Sequence, residues 1–149
     1  MKSSEFEVKF TFNDMWIDQI LELHNKTEMK RSIEMKEKIS RAFQNSFLVV
    51  TVWNGENLIG CGRVVSDGEM YSSIFDVVVD PAFQKQGIGK LIMENLVSKV
   101  SHTCIHLTST FGNEEFYKKL GFKKHKTAFA LYPERMKNSP YLENGENHA

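Results

Sequence analysis

Residues 76–90, DVVVDPAFQKQGIGK, bring together residue types that could carry out chemistry. Asp76 is a carboxylate inside an apolar run, and burial raises the pKa of a carboxyl group toward the range that suits a general base. Gly87 and Gly89 precede a helix-like segment, whose first amides are unpaired and lie at the positive end of the helix dipole. The stretch therefore predicts an anion-binding turn beside a candidate proton acceptor. A simple tight turn and a satisfied structural carboxylate are the alternatives.

Two nucleotide-binding motifs do not fit this stretch. A P-loop, G-x-x-x-x-G-K-[ST], aligned on Gly89 and Lys90 would need a glycine in place of Gln84 and a hydroxyl in place of Leu91. A dinucleotide fingerprint, G-x-G-x-x-G, would need a glycine in place of Ile92. The sequence therefore argues against a P-loop nucleotide triphosphatase and against a dinucleotide-binding fold.

One strand and two helices are predicted near the N-terminus. Apolar and polar residues alternate over residues 6–12, which is the period of a half-buried strand. Asn13 and Asp14 can cap a first helix, and a second helix with one apolar stripe is predicted from Ser32. These elements precede the strand that carries Asp76.

Three antiparallel strands are predicted next, and the last of them carries Asp76. The runs FLVVTVW and LIGCGRVV flank Asn54 and Gly55, a pair that favours a hairpin with a type I′ turn. The segment SDGEMY predicts a second turn before residues 73–79, SIFDVVV. Because VVV is apolar on both sides of the chain, it is typical of a central strand covered on both faces.

The segments after the glycine turn predict two helices and two further strands. Apolar spacing predicts a helix to about Val100, and TCIHLTS predicts a strand parallel to DVVV because it follows a helical crossover. The segment GNEEFYKKLGF predicts a short helix that ends at Gly121 in the left-handed conformation. Residues 128–132, AFALY, predict a last strand that closes the sheet.

The order of these elements, β, α, α, β, β, β, α, β, α, β, predicts a mixed α/β, or α+β, fold. Its central sheet is expected to be mixed and largely antiparallel, with helices on both faces and one parallel pair of strands. Residues 1–133 are predicted to form one domain, and residues 134–149 a polar C-terminal tail.

Composition narrows the partners and the compartment. The 149 residues include 19 Lys and Arg against 19 Asp and Glu, so no overall positive field attracts nucleic acid or anionic membranes. The N-terminus lacks the apolar core of a signal peptide, and no run approaches the ~18 apolar residues of a membrane span. We therefore expect a cytoplasmic protein with no nucleic-acid or membrane partner. Cys61 and Cys104 lie in strand-like runs and are predicted to be buried, inert thiols.

Three motifs in one order resemble the GNAT superfamily of acyl-CoA-dependent N-acetyltransferases. They are DVVVDP, the turn Gln84-x-x-Gly87-x-Gly89, and NEEFYKKLGF. The similarity covers roughly residues 46–132 and is most like the small bacterial and plant-type arylalkylamine or serotonin acetyltransferase-like branch. It implies a GNAT-like fold in which the parallel strands splay apart.

The resemblance implies that acetyl-CoA is the co-substrate. The amides of the glycine turn would bind the pyrophosphate, and the three valines would pair through their backbone with the pantetheine arm, as a substitute strand. The residues implied to contact the cofactor are Val77, Val78, Val79, Gln84, Lys85, Gln86, Gly87, Ile88, Gly89, Lys90, Asn113 and Phe116. For Asn113, an N-cap role is the alternative.

Tyr117 is implied to be the catalytic acid. A neutral phenol can donate a hydrogen bond to the departing CoA thiolate at neutral pH. Simple packing of the Tyr117 ring against Phe116 is the alternative. Asp76 is the candidate that takes or relays the proton of the amine, and a strand amide would stabilise the oxyanion.

The implied reaction is acetyl transfer to a primary amine of a small molecule by direct attack on the thioester. A catalytically silent acyl-CoA-binding module, regulatory or interaction-based, is the alternative, and the resemblance suggests a homodimer. Acidic residues in the predicted cleft loops and the aromatics Trp16, Trp53 and Tyr71 favour a cationic arylalkylamine acceptor. Aminoglycosides, polyamines and peptide N-termini stay open.

No metal is expected. His102 and His106 have helical spacing, but the segment changes from helix to strand there and no third ligand is evident.

Overall fold

The computed structural model describes residues 6–144. The chain divides into two compact units, one that ends at Thr110 and one that begins at Phe111. The predicted domain boundary at residue 133 stays a prediction.

The first unit is built on a five-stranded sheet. Its strands are β1 (Glu7–Lys9), β2 (Leu48–Asn54), β3 (Asn57–Ser66), β4 (Tyr71–Val79) and β5 (Cys104–His106), in that spatial order. The first four strands pair antiparallel, and β5 pairs parallel with β4. The predicted mixed, largely antiparallel sheet with one parallel pair is therefore confirmed, although β1 and β5 are shorter than expected.

The hairpin between β2 and β3 forms as predicted, but with a different turn. Asn54 still pairs with Asn57, so the two turn residues are Gly55 and Glu56. Of these, only Gly55 has a positive φ, of 62°. A type I′ turn needs positive φ at both central residues, so that part of the prediction is wrong.

Helices cover both faces of the sheet. The helices α1 (Ile17–Asn25) and α2 (Lys36–Gln44) share an apolar cluster with Val49, Cys61 and Val78. The helix α3 (Ile88–Val100) lies on the opposite face, where a β-carbon at Gly62 would be 2.8 Å from Leu96 Cδ1. The absence of β-carbons therefore lets α3 approach β3 closely.

The N-terminal ends of α1 and α2 follow from local sequence. Both begin with a turn of 3-10 helix, Asp14–Trp16 and Ile33–Met35. Asn13 Oδ1 accepts a hydrogen bond of 2.9 Å from the Met15 amide, which confirms the predicted cap.

The parallel strands β4 and β5 pair only over residues 71–73 of β4. The last pair is Ser73 with His106, and β4 continues to Val79. Among the described residues no strand pairs with β4 beyond Ser73 on that side. The carboxyl-terminal half of β4 thus has one free edge, as the predicted splayed pair requires.

Helix α4 (Glu114–Lys119) belongs to the second unit. Gly121, with φ of 95°, donates its amide hydrogen to Lys118 O, and Phe122 donates to Tyr117 O. These two bonds form a Schellman motif, and they confirm the predicted helix end at Gly121.

Two local predictions are wrong. Residues 128–132 form no strand, and the side chains of Phe129 and Leu131 are almost fully exposed. Cys61 is buried as expected, whereas Cys104 is exposed, because it lies in a three-residue edge strand opposite the exposed Tyr71. An apolar, β-branched run indicates a strand only where a neighbouring strand is available to pair.

Candidate active site

The strand β4 changes register at Asp76. Phe75 pairs with Arg63 and Val78 pairs with Cys61, so that Asp76 and Val77 together face Gly62. Asp76 has a φ of 56°, in the left-handed region that Asp tolerates better than most residues. The shift is a β-bulge, which redirects side chains where pairing is interrupted.

Asp76 is the centre of a buried ionic cluster. Its side chain is 10% exposed, and its Oδ2 lies 2.6 Å from Arg63 Nε. Its Oδ1 lies 3.0 Å from Arg31 Nη2 and 3.5 Å from His24 Nε2. We call these four residues the Asp76 cluster. They come from β4, from β3, from α1 and from the segment between α1 and α2.

The electrostatics of Asp76 differ from the expectation. Burial alone would raise its pKa, but the nearby His24 and the Arg63 guanidinium, which is hydrogen-bonded to the carboxylate, outweigh burial and hold the pKa of Asp76 well below its usual range. The predicted upward shift is wrong. A carboxylate with such a low pKa is a weak proton acceptor, so Asp76 is poorly suited to be the general base.

His24 is buried, and only one of its two ring nitrogens makes a hydrogen bond among the described residues. Its Nδ1 lies 2.8 Å from Ile20 O, and since a carbonyl oxygen can only accept, Nδ1 carries a hydrogen. Its Nε2 is buried and makes no hydrogen bond within the described part of the chain. The imidazole therefore directs its second nitrogen toward the Asp76 carboxylate.

His24, Arg31 and Arg63 were not predicted from the sequence as site residues. Two signals were present. His24 occupies the apolar face of α1 that it shares with Ile20, and Arg63 interrupts an apolar strand. A polar residue on a buried face is an informative exception, because it must find partners there.

The turn that precedes α3 begins with a capped 3-10 helix, Pro81–Phe83. Asp80 Oδ1 accepts a hydrogen bond of 2.9 Å from the Ala82 amide, and Asp80 Oδ2 lies 3.0 Å from Lys26 Nζ. The side chain of Gln84 donates to Val79 O at 3.3 Å. These contacts fix the turn to the end of β4 and to the last turn of α1.

The backbone of this turn exposes a series of amides. Lys85 and Gly87 have positive φ, of 67° and 81°. The first helical hydrogen bond of α3 is from the Leu91 amide to Gly87 O, and within residues 6–144 the amides of residues 85–90 donate to no acceptor. Amides in such alternating conformations form anion-binding concavities. A β-carbon at Gly87 would meet nothing within 4 Å, so glycine is needed there for its φ.

In the second unit, Tyr117 presents a half-buried phenol on α4. Its ring packs edge-on against Phe116 at 5.0 Å and against Phe122 at 6.0 Å between centroids. Burial raises its pKa above the ordinary value, so the phenol stays protonated at neutral pH. The group is therefore available as a proton donor.

Asn113 occupies the N-cap position of α4, but its side chain makes no capping hydrogen bond. The Asn113 side chain therefore does not cap α4, which was the alternative to a cofactor contact. Contacts of Asn113 and Phe116 with a cofactor stay predictions.

Not all of the aromatics that were expected to contact an acceptor are exposed. Trp53 is 3% exposed and packs against Trp16 at 4.9 Å, so it belongs to the core. Tyr71 is exposed at the start of β4.

Residues 6–144 contain neither a group of side chains suited to a metal ion nor a helix suited to a membrane. No group of three or more His, Cys, Asp or Glu side chains there could hold a metal ion, and His102 Nε2 lies 2.9 Å from Gly68 O. No helix in that range is long and apolar enough to cross a bilayer. The absence of a metal, the cytoplasmic location and the homodimer stay predictions.

A family model and several known proteins are similar to this chain. A family model described as an acetyltransferase (GNAT) domain matches residues 44–124. The chloroplastic GCN5-related N-acetyltransferase 1 of Arabidopsis thaliana is 30% identical over 125 residues, which cover 82% of this chain and 64% of that protein. An uncharacterized N-acetyltransferase of Gracilaria tenuistipitata var. liui is 34% identical over 93 residues, which cover 58% of this chain and 51% of that protein.

A solved structure shows the same fold. The GNAT family acetyltransferase SP0256 of Streptococcus pneumoniae TIGR4 aligns with a TM-score of 0.74 over 87% of this chain and 98% of that chain, at 22% sequence identity. The chain spans about half the length, or less, of the first curated relatives that it matches.

Proposed function

Because this chain belongs to the GNAT acetyltransferase family, we propose that it transfers an acetyl group from acetyl-CoA to a primary amine of a small molecule. Membership of the family confirms the predicted superfamily, and the arylalkylamine or serotonin acetyltransferase-like branch stays a prediction. The amine would attack the thioester directly. The observation that carries the proposal is the free edge of β4 next to an amide-rich turn.

The residues present fit the two polar parts of CoA. Pantetheine contains amide groups, and an extended backbone segment such as residues 74–79, paired on one side only, can exchange hydrogen bonds with them. The unpaired amides of residues 85–90 and the start of α3 suit a pyrophosphate. When bound, acetyl-CoA supplies the activated acetyl group.

The proposed chemistry has one bond formed and one broken. The neutral amine nitrogen attacks the carbonyl carbon, a C–N bond forms, and the C–S bond breaks. Tyr117 gives its proton to the leaving thiolate and regains one from water, while the nitrogen loses its extra proton to water. Correct positioning of the amine supplies much of the rate enhancement.

Asp76 has a different role in this proposal from the one expected. Its low pKa argues against accepting the proton of the amine. We assign it the task of holding Arg31 and Arg63 beside the bulge, within the free half of β4.

Thiol release from acetyl-CoA, measured over a panel of primary amines, tests the activity. We expect amine-dependent release by the wild-type protein. In Tyr117→Phe, kcat should fall ~100-fold because the proton donor is lost, while the Kd for acetyl-CoA stays nearly unchanged.

Tyr141→Phe is the matched control, since Tyr141 lies in the same unit, is exposed and stacks on Phe111. An unaltered kcat in Tyr117→Phe would remove Tyr117 from the mechanism. Tight CoA binding without amine-dependent release from any amine would instead favour the acyl-CoA-binding module.

A further inference from the structure

We propose that Arg31 binds a carboxylate of the acceptor, so that the acceptor is an amine that also carries a carboxylate, as an α-amino acid does. This inference rests on the proposed acetyl transfer and names the substrate class of the same site.

The charges of the Asp76 cluster do not balance. Arg31 and Arg63 both contact the Asp76 carboxylate, and neither forms another ion pair within residues 6–144. Two guanidinium groups, each always charged at neutral pH, therefore share one carboxylate. The excess positive charge attracts an anionic group and disfavours an acceptor whose only charges are positive.

The two arginines differ in how many donors are already used. Arg63 donates through Nε to Asp76 and through Nη1 to Ser46 Oγ, at 3.3 Å, and its guanidinium lies over the rings of Phe43 and Phe75. Its side chain is only 16% exposed. Arg63 is therefore committed to the fold.

Arg31 is the available partner. Its side chain is 33% exposed, and within the described residues it uses only Nη2, which donates to Asp76 at 3.0 Å. The remaining N–H groups can form the two parallel hydrogen bonds that a carboxylate prefers. The Arg31 amide donates to Asn25 Oδ1 at 2.8 Å, which holds this segment in place.

The position of Arg31 also suits an acceptor. Asp76, to which it is bound, lies at the bulge within the free half of β4, and the thioester is proposed to lie along that edge. An α-amino acid keeps its amine and its carboxylate on one carbon, so a carboxylate held at Arg31 places the amine close by. Phe75, 43% exposed, precedes Asp76 and offers an apolar contact to the acceptor side chain.

The test compares amino acids with their decarboxylated amines. The pairs are L-phenylalanine with phenethylamine, L-tryptophan with tryptamine, L-leucine with 3-methylbutylamine, and L-alanine with ethylamine. For at least one pair, kcat/KM from thiol release should be about tenfold or more higher for the amino acid. Arg31→Gln should remove that preference by lowering kcat/KM for the amino acid, whereas kcat/KM for the amine should not fall, because the variant carries less positive charge to repel it.

A binding measurement accompanies the kinetics. Isothermal titration of the same amino acids into CoA-saturated protein should give a Kd that rises about tenfold or more in Arg31→Gln and less in Arg31→Lys. Arg41→Gln is the matched control, because Arg41 is exposed on α2 and forms no ion pair within residues 6–144. Its Kd should equal that of the wild type.

Equal use of both members of every pair, or an equal loss for both in Arg31→Gln, would overturn the carboxylate proposal and leave acetyl transfer standing. If no amine supports thiol release, acetyl transfer fails, and the titrations still decide Arg31. Binding that depends on Arg31 supports its role, and no amino-acid binding by the wild type overturns it.

Discussion

The two faces of the sheet differ in the kinds of residues that are buried against them. On the α3 face, Ile88, Ile92 and Leu96 are buried, and Gly62 lets the helix lie against the strands. On the α1 and α2 face, the apolar cluster adjoins Asp76, Arg63 and the buried His24. The α3 face is held by apolar packing alone, whereas the α1 and α2 face includes charged groups that are largely removed from water.

This contrast between the two faces of the sheet indicates which of them carries the function. Close apolar packing stabilises a fold with no need for charge. A buried ionic cluster is rarely more stabilising than apolar residues of the same size, because the charges lose their hydration. The Asp76 cluster also coincides with a left-handed residue and an interrupted strand pair, which are the kinds of strain found at functional sites.

The largest effect on stability is expected for Asp76→Asn. Asparagine tolerates the φ of 56° at this position, so the substitution removes the charge and keeps the backbone. Arg31 and Arg63 would then face each other without a counter-charge, and the free energy of unfolding should fall by about 3–5 kcal/mol. Urea denaturation followed by circular dichroism measures it.

Asp67→Asn is the control for Asp76→Asn. Asp67 is also an Asp with a lowered pKa, but it lies in an exposed turn, where it accepts from the amides of Glu69, Met70 and Tyr71. We expect a smaller loss there. An equal loss for both variants would show that the Asp76 cluster is energetically ordinary and would remove the contrast between the two faces.

A smaller effect is expected on the α3 face. In Gly62→Val, the new β-carbon would lie 2.8 Å from Leu96 Cδ1 and 2.9 Å from Ile92 Cγ2. Overpacking of this kind costs about 1–3 kcal/mol, and flexible side-chain ends can absorb part of it. The loss is measured in the same urea experiment.

Leu96→Ala provides the decisive comparison for Gly62→Val. If the loss comes from the contact with Leu96, the double variant should lose less stability than the sum of the two single variants. Additive losses would contradict close packing between α3 and β3.

The sequence predicted those features that depend on local pattern. Period-two and period-3.6 spacing located the antiparallel strands and α3, Asn13 marked the start of α1, and Gly121 marked the end of α4. Because β5 follows a helical crossover, it was predicted to lie parallel to β4, and the two strands pair in this way. The glycine turn was also predicted as a set of free amides, because helix geometry alone leaves the first amides unpaired.

The features that failed depend on distant residues. The pKa of Asp76 is set by His24 and Arg63, which are far from it in sequence, so burial alone gave the wrong direction. Residues 128–132 have the composition of a strand, but a strand also needs a partner edge. The sign of the charge around the site could not be read from acidic loop residues, since Arg31 and Arg63 meet only after folding.

The smallest effect concerns acid, and it separates the two faces. Asp76 has a folded-state pKa below its unfolded value of about 3.9, so its ionisation stabilises the fold above that value, and this stabilisation is lost as the pH falls toward the lowered pKa. Above about pH 5 Asp76 is fully ionised, so the wild type keeps the whole of this contribution to the difference in unfolding free energy between wild type and Asp76→Asn. Below about pH 4 this difference should shrink, because protonation removes from the wild type the charge that asparagine already lacks.

Gly62→Val is the control for this acid effect. It keeps Asp76, so its curve of unfolding free energy against pH should stay parallel to that of the wild type over the whole range. Urea denaturation at a series of pH values measures all three curves, and an Asp76→Asn curve parallel to the wild type below pH 4 would contradict the ionic account of the α1 and α2 face.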